Sequence, residues 1–305
     1  MRSSKPAAFL SLPTLFLIMV ASPVTNAADY SLDESWPAPL PESIQWGQVP
    51  NVTLDDQGHI YAFHRETPPV LKFNHAGALI DSWGEHWITR PHGFRFGPHG
   101  YLWATDYDPR NGHTVTKFDT DGRVHLRLGA RGFRGKGPNT FNGPTDVAVA
   151  ENGDIFVADG HWNNRIVKYS AEGRYLLEWG SKGAQEGEFD LPHSIVIDRR
   201  GRVLVADRGN SRIQLFDQEG SYLDQWSQFG RPSGLFIDND DVLYVADYQV
   251  KHGITYGSAD DGKILGFIGG TDPEGVSVDS AGNVYAAEVL GGAESEGKIV
   301  KRFNK

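Results

Sequence analysis

Short runs in which apolar and polar positions alternate recur along nearly the whole chain, each introduced by a proline. The clearest is Leu191-Pro192-His193-Ser194-Ile195-Val196-Ile197-Asp198. Aligned on its proline, the pattern returns at Pro50, Pro91, Pro144, Pro232 and Pro273. The runs that follow are Val52-Thr53-Leu54, Phe94-Arg95-Phe96, Val147-Ala148-Val149, Leu235-Phe236-Ile237 and Val276-Ser277-Val278. Alternation with period two marks a half-buried strand. A second strand follows each time: Ile60–Phe63, Leu102–Thr105, Ile155–Ala158, Val203–Ala206, Leu243–Ala246 and Val284–Ala287. Turn residues such as Asp56-Gln57-Gly58 and Glu151-Asn152-Gly153 precede most of them, as hairpins require. Third strands are plain in Arg165–Tyr169 and Arg212–Phe216. A unit of strands and turns that repeats every 40 to 53 residues predicts an all-β fold, a six-bladed β-propeller.

The two ends of the pattern complement each other. The last unit shows three strands, Val276–Asp279, Val284–Glu288 and Lys298–Phe303, and then the chain stops. Ahead of the first unit, Ser43-Ile44-Gln45-Trp46 resembles the outer strands Leu176-Leu177-Glu178-Trp179 and Leu223-Asp224-Gln225-Trp226. Residues 43–46 are therefore expected to complete the last blade and remove an exposed sheet edge. Trp46, Trp83, Trp179 and Trp226 share one repeat position, which points to packing between blades. Asp106, Asp159, Asp207 and Asp247 recur in the same way and are read as structural carboxylates. Insertions at 107–113, 248–258 and 289–296 follow second strands, so they should cover one mouth of the channel and shape a pocket there. A fourth lies at 131–142.

Composition narrows the function. The formal net charge of −10 repels phosphate backbones and argues against nucleic-acid partners. With no cysteine there is neither a disulfide nor a thiolate metal site. Residues 1–27 have Arg2 and Lys5, an apolar stretch from Ala7 to Val20, and a small-residue exit at Thr25-Asn26-Ala27, the layout of an export leader. Pro13 and the shortness of the stretch argue against a membrane span, which needs about 20 apolar residues. The expected organisation is a leader at 1–27, a lead-in and closing strand at 28–46, and the propeller at 47–305. The mature chain is expected in the periplasm or secreted, with no membrane attachment once the leader is gone.

Chemistry enters at the residue after each proline, which should ring the channel: Asn51, His92, Thr145, His193, Ser233 and Glu274. Alternate blades of a six-fold ring stand about 120° apart, so His92, His193 and Glu274 would meet as a triangle. Two imidazoles and a carboxylate suit a catalytic zinc with an open position, and they equally describe a non-haem Fe(II) site. Ordinary polar residues at a channel mouth are the plainer account. Two histidines on one repeat position in alternate blades favour the metal. Just past the second strands, Arg65 and Arg208 occupy equivalent places in opposite blades; their guanidinium forks suit a carboxylate, implying a small anionic substrate. A structural salt bridge is the alternative for each. His161 stands nearby as a candidate general base, with Tyr107 and Tyr248 in reserve. His64, His75, His99, His113 and His125 follow no repeat logic and are left unassigned.

From about Gly47 onward the chain resembles the peptidyl-α-hydroxyglycine α-amidating lyase family, six-bladed propellers of NHL-type repeats. Phe63-His64-Arg65, Pro91-His92-Gly93, Pro144-Thr145-Asp146-Val147-Ala148-Val149, Asn164-Arg165-Ile166-Val167, Pro192-His193-Ser194 and Ala206-Asp207-Arg208 carry the likeness. The resemblance implies a zinc lyase that splits a peptidyl-α-hydroxyglycine into a peptide amide and glyoxylate. His92 and His193 match two of the family's three zinc histidines, and Arg65 and Arg208 match its active-site arginines. Departures fall in the same region. The third zinc histidine is Glu274, the catalytic tyrosine is His161, and a methionine near the metal is Asp272. The family's half-cystines fall at Asn142 and Trp162. Gly275 stands where the family has an aspartate that helps hold a structural calcium, which argues against that calcium.

The expectation is a metal-dependent carbon–nitrogen lyase. His92, His193 and Glu274 hold Zn2+, or Fe2+ as the alternative, His161 is the base, and Arg65 and Arg208 hold the substrate carboxylate. Two other classes remain open: a metal-dependent hydrolase of an ester or lactone, and a non-catalytic propeller that binds a protein partner. Asn51-Val52-Thr53 fits a glycosylation acceptor formally, but it falls in the inner ring and is discounted.

Overall fold

In this computed structural model the described residues are Met1, 30–290 and 299–305. All of the expected leader at 1–27 except Met1, and most of the insertion at 289–296, lie outside them. Two residues, Ser31–Leu32, form strand β1. Blade one follows as β2 (Asn51–Leu54), β3 (Ile60–Phe63), β4 (Val70–Phe73) and β5 (Leu79–Trp83), and blade two as β6 (Pro91–Phe96), β7 (Leu102–Asp106), β8 (Thr114–Phe118) and β9 (Val124–Leu128). Blade three comprises β10 (Pro144–Val149), β11 (Ile155–Asp159), β12 (Arg165–Tyr169) and β13 (Tyr175–Trp179); blade four, β14 (Pro192–Ile197), β15 (Val203–Asp207), β16 (Arg212–Phe216) and β17 (Tyr222–Trp226). Blade five has β18 (Gly234–Ile237), β19 (Val242–Asp247), β20 (Gly253–Ser258) and β21 (Ile264–Ile268), and blade six has β22 (Pro273–Val278), β23 (Val284–Glu288) and β24 (Val300–Asn304). Each blade is one four-stranded antiparallel sheet, and β1 supplies the fourth strand of blade six. The six-bladed all-β propeller read from the repeats is the fold.

Each blade is a sheet apolar on both faces, so its core lies between blades. Six apolar clusters fill the six junctions. One joins Leu204, Ala206 and Ile213 of blade four to Leu235, Leu243 and Val245 of blade five, and another closes blade six on blade one through Tyr285, Ala287, Val52, Ile60 and Phe73. Only the outermost strands face water on one side, as the exposed Leu176, Leu223 and Phe267 show.

The closing strand is not the one expected. Residues 43–46 form no strand; Ser31 pairs with Asn304 and Leu32 with Phe303 instead. The tryptophan at the repeat position is correspondingly Trp36. In blades one, three and four that residue lies against a turn glycine of the next blade: Trp83 on Gly122, Trp179 on Gly220 and Trp226 on Gly262. Trp36 lies in the same way on Gly77 of blade one, with Tyr285 of blade six 5.2 Å away, ring to ring. The motif at Trp46 misled because its ring stacks on Phe73 at 5.7 Å and so occupies a similar apolar junction without belonging to a strand.

The inner strands carry the feature that places the ring. In β10, β14 and β22 the ladder skips one residue, so Thr145, His193 and Glu274 are left unpaired; β6 is irregular across His92 and Gly93. A bulge of this kind re-aims a side chain, and here it turns the post-proline residue toward the channel. The segment leading into each bulge is held from below by a buried acceptor at the end of the second strand. Asp106 accepts the N–H groups of Thr89 and Arg90, Asp159 that of Asn142, Asp207 that of Asp190, Asp247 that of Arg231, and Glu288 that of Asp272. The recurrent aspartates are thus structural, as expected.

In blade one the same position is His64. Its Nδ1 accepts the Gly47 N–H at 3.2 Å while Nε2 donates to the Pro68 carbonyl at 2.6 Å. His64 therefore does have a place in the repeat, which the residue-type pattern hid because an imidazole stands in for a carboxylate. Burial lowers its pKa, so the folded ring is neutral.

Two outcomes follow from this architecture. Trp36→Ala should lower unfolding free energy by about 3–5 kcal/mol in urea titrations. The stabilising effect of His64, measured as wild type minus His64→Ala, should be complete above about pH 6.5, where the unfolded imidazole is also neutral. It should shrink as pH falls toward 5, because the unfolded chain then binds a proton that the folded ring refuses.

Candidate metal centre

His92, His193 and Glu274 are brought together. Glu274 Oε1 stands 3.3 Å from His92 Nε2 and 3.6 Å from His193 Nε2. All three residues are buried. Each imidazole is locked through its other nitrogen: Nδ1 of His92 donates to the Thr145 carbonyl and Nδ1 of His193 to the Ser233 carbonyl, both at 2.7 Å. The acceptors are the post-proline residues of the next blades, so the small neutral positions of the ring fix the tautomers of the metal-ligand positions. With Nδ1 committed as donor, Nε2 is the nitrogen left facing the centre, the orientation that metal-ligating histidines are given by their outer partners.

These residues fit a metal ion. Tetrahedral bonds of about 2.0–2.1 Å place ligand atoms roughly 3.3–3.4 Å apart; Glu274 Oε1 meets that spacing to His92 at 3.3 Å and exceeds it slightly to His193 at 3.6 Å. Burial by itself would raise the Glu274 carboxyl, but the His92 hydrogen bond and the charges of His92, Arg208 and Arg65 outweigh it and hold the group below its ordinary value. The ring encloses a cavity of about 10 Å3, room for a single water-sized body. Three buried polar atoms of the site have no hydrogen-bond partner among the described residues: Ser233 Oγ, which lines the cavity, and His161 Nε2 and Arg208 Nε.

His161 is closer to the centre than its sequence assignment implied. Its ring lies 4.7 Å from that of His92 and 5.9 Å from that of His193, and ligand atoms of the three histidines fall within 4.8 Å of one another. It is delivered by the turn after β11. Gly160 has no room for a side chain, because a Cβ there would run into the Pro192 carbonyl, and this close approach presses the next residue over blade four. Burial and the charges of His92, Arg208, Arg65 and Arg90 push the His161 pKa well below its ordinary value.

The two arginines differ. Arg208 donates from Nη1 to His193 Nε2 at 2.7 Å and from Nη2 to the Tyr248 hydroxyl, so it reaches the same lone pair an ion would use. Arg65 is turned aside, donating to Gln48 Oε1 at 2.7 Å and to the Pro91 carbonyl at 3.3 Å, with its guanidinium 5.3 Å from the Tyr107 ring. Tyr107 forms a wall of the site, its ring 4.5 Å from His161 and 5.2 Å from His92. Beyond it, half-exposed Trp162 continues the aromatic surface outward. Asp272 pairs with His252 at 2.8 Å. At Gly275 a Cβ would stand 2.6 Å from the Pro50 carbonyl oxygen, so a side chain there would require the backbone to shift.

Sequence reasoning missed Ser233 as an open hydroxyl and Trp162 as a wall. It also missed Arg95, which crosses the channel beneath the ring. The last had a signal: in the alignment of inner strands, Arg95 falls in line with Thr53, Ala148, Val196, Phe236 and Ser277, a lone cation among small and apolar residues.

Residues 141–169 and 189–216 match the NHL repeat. The chain is 34% identical over 192 residues to human NHL repeat-containing protein 3, an alignment covering 59% of this chain and 54% of the relative. It is 31% identical over 212 residues to a probable peptidyl-alpha-hydroxyglycine alpha-amidating lyase of Caenorhabditis elegans, covering 61% of this chain and 60% of that protein. The matches thus span little more than half the length of these relatives. Among solved structures, a gluconolactonase from Xanthomonas campestris superposes with a TM-score of 0.62 over 85% of this chain and 86% of its own, at 17% identity, a likeness of fold. The resemblance to the amidating lyases read from the motifs is upheld. No helix among the described residues is long and apolar enough to cross a membrane.

Removing one ring ligand should be felt by the others. Glu274→Gln should lower bound metal, measured by elemental analysis after dialysis, at least about 10-fold, the lower end of what loss of a metal-site partner costs.

Proposed function

We propose that this chain is an exported, metal-dependent lyase that cleaves the C–N bond of an α-hydroxyglycine-like substrate and releases glyoxylate. The observation that carries the reading is the pair of Nδ1-locked imidazoles with a carboxylate oxygen 3.3 and 3.6 Å from their Nε2 atoms. Relatives named as amidating lyases and the leader-like residues 1–27 support it. Zinc is the ion this donor set suits, with Fe2+ second. When bound, the ion supplies Lewis-acid polarisation of the substrate hydroxyl.

The remaining work belongs to side chains. Arg208, with Arg65 swung in from Gln48, receives the substrate carboxylate as a two-point anchor. His161, held neutral by burial and by the surrounding positive charge, takes the hydroxyl proton. Binding of the carboxylate offsets the arginine charges and thereby makes His161 a better base at the moment it is needed. The O–H electron pair becomes the second bond of the aldehyde carbonyl, the C–N pair passes to nitrogen, and His161 returns the proton to that nitrogen. The products are an amide and glyoxylate, with atoms and charge balanced. Tyr107 and the ring of inner strands keep the site closed from below.

Incubation with α-hydroxyhippurate tests the reading: equal amounts of benzamide and glyoxylate are expected. Benzoate in place of benzamide would instead indicate a hydrolase. His161→Ala should retain stoichiometric metal while kcat falls about 10²–10⁴-fold, the usual worth of a general base. Loss of the metal with His161→Ala would make His161 a ligand and not the base.

A further inference from the structure

We infer that Arg95 is a built-in axial cation, which pins the inner strands from below and positions the metal ring, leaving no need for a structural divalent ion in the channel. Arg95 leaves β6 in blade two and reaches across to the opposite side of the ring. Its Nε donates to Asp146 Oδ1 at 3.0 Å and to Oδ2 at 3.1 Å, and its Nη2 to Asp146 Oδ2 at 2.6 Å. The same Nη2 meets Ser194 Oγ at 2.9 Å and the Leu235 carbonyl at 2.7 Å. One guanidinium therefore binds a carboxylate of blade three, a hydroxyl of blade four and a carbonyl of blade five. The network is closed: Ser194 Oγ donates to Asp146 Oδ2 at 2.7 Å and accepts the Leu235 N–H at 3.0 Å, while Asp146 also accepts the N–H groups of Val147 and Ile195. The Asp146 side chain is 2% exposed and that of Arg95 14%.

A carboxylate, a hydroxyl and a backbone carbonyl converging on an axis form the hard oxygen set that a divalent cation would use to tie blades together. Here the positive charge comes from the chain itself. The clamp also lies directly under the centre. Asp146 follows Thr145, whose carbonyl fixes His92; Ser194 follows His193; and Leu235 lies two residues after Ser233, whose carbonyl fixes His193. Arg95 touches none of the reacting groups, so its part is positional. This inference does not depend on which reaction the site performs.

The test uses Arg95→Met, Arg95→Lys, Asp146→Asn and the Arg95→Met/Asp146→Asn pair, with Trp36→Ala as a variant destabilised away from the ring. Breaking a buried pair strands a charge, so Arg95→Met should lower Tm by roughly 6–15 °C. The double variant should recover at least about half of that loss, because no charge is then left unpaired. Zinc affinity, measured by competition with a chromogenic chelator, should fall roughly 10-fold or more in Arg95→Met, less in Arg95→Lys, and stay unchanged in Trp36→Ala. Wild type should contain no stoichiometric calcium, and added CaCl2 should leave its Tm unmoved. Calcium found in wild type, a Tm that climbs with CaCl2, additive single and double losses, or zinc affinity untouched by Arg95→Met would each overturn the inference. If Arg95→Met does not fold, the calcium content and calcium response of wild type decide it alone.

Discussion

The structure depends on a buried hydrogen-bond acceptor at the end of each blade's second strand. Asp106, Asp159, Asp207, Asp247 and Glu288, with His64 in their place in blade one, bind the backbone N–H groups of the segment that enters the inner strand of the same blade. Burying a carboxylate is costly unless its oxygens are fully satisfied. Here several donors meet each group: Asp207 takes Asp190, Asn210, Arg212 and Gln214. A fully satisfied network of this kind rigidifies its surroundings. What it rigidifies is the turn before the proline, so the bulge that follows is set to within the tolerance a metal site demands.

From that constraint the centre assembles in layers. The bulges aim His92, His193 and Glu274 inward. Backbone carbonyls of Thr145 and Ser233 fix the imidazole tautomers, so that two of the small neutral members of the ring each serve the histidine of the preceding blade. Arg208 and His161 approach from the loops after second strands, where chain geometry is free to vary without disturbing the blades. The division is clear in the hydrogen bonds: the ring imidazoles are anchored to backbone carbonyls, whereas the Arg208 guanidinium is anchored to side chains, His193 and Tyr248. Side-chain anchors can be exchanged when a substrate carboxylate arrives.

Much of this was legible in the sequence because repetition converts linear spacing into angular spacing. Once Pro91, Pro192 and Pro273 are recognised as one position, a fold with near six-fold symmetry makes the meeting of His92, His193 and Glu274 a matter of geometry. The same reasoning failed where the repeat is imitated or substituted. Ser43–Trp46 imitates an outer strand because a tryptophan in an apolar junction has the same local composition whether or not its backbone pairs, and the true clasp, Ser31–Leu32, is too short for its alternation to register. His64 substitutes an imidazole for a carboxylate, preserving the hydrogen bond and changing the letter. Arg95 was missed for a third reason: its charge marks the position in the aligned strands, but its partners Asp146, Ser194 and Leu235 come from three other blades, and no local pattern reports a contact across the axis.

The clasp has a consequence for how the molecule is made. Asp33 and Arg302 form an ion pair although 269 residues separate them along the chain, and Trp36 waits for Tyr285. Five blades can form in the order of synthesis from neighbours already present, but the junction between the sixth and the first has no partner until the final strand emerges. Contacts so distant along a polymer are slow to find one another. The junction left open meanwhile lies between β22, which carries Glu274, and β2, so the triangle of His92, His193 and Glu274 is not fixed in place until the circle is whole. The approach of the acid to the two histidines is thereby tied to the last event of folding, and a nascent chain that has emerged only as far as blade five would present the two histidines without Glu274.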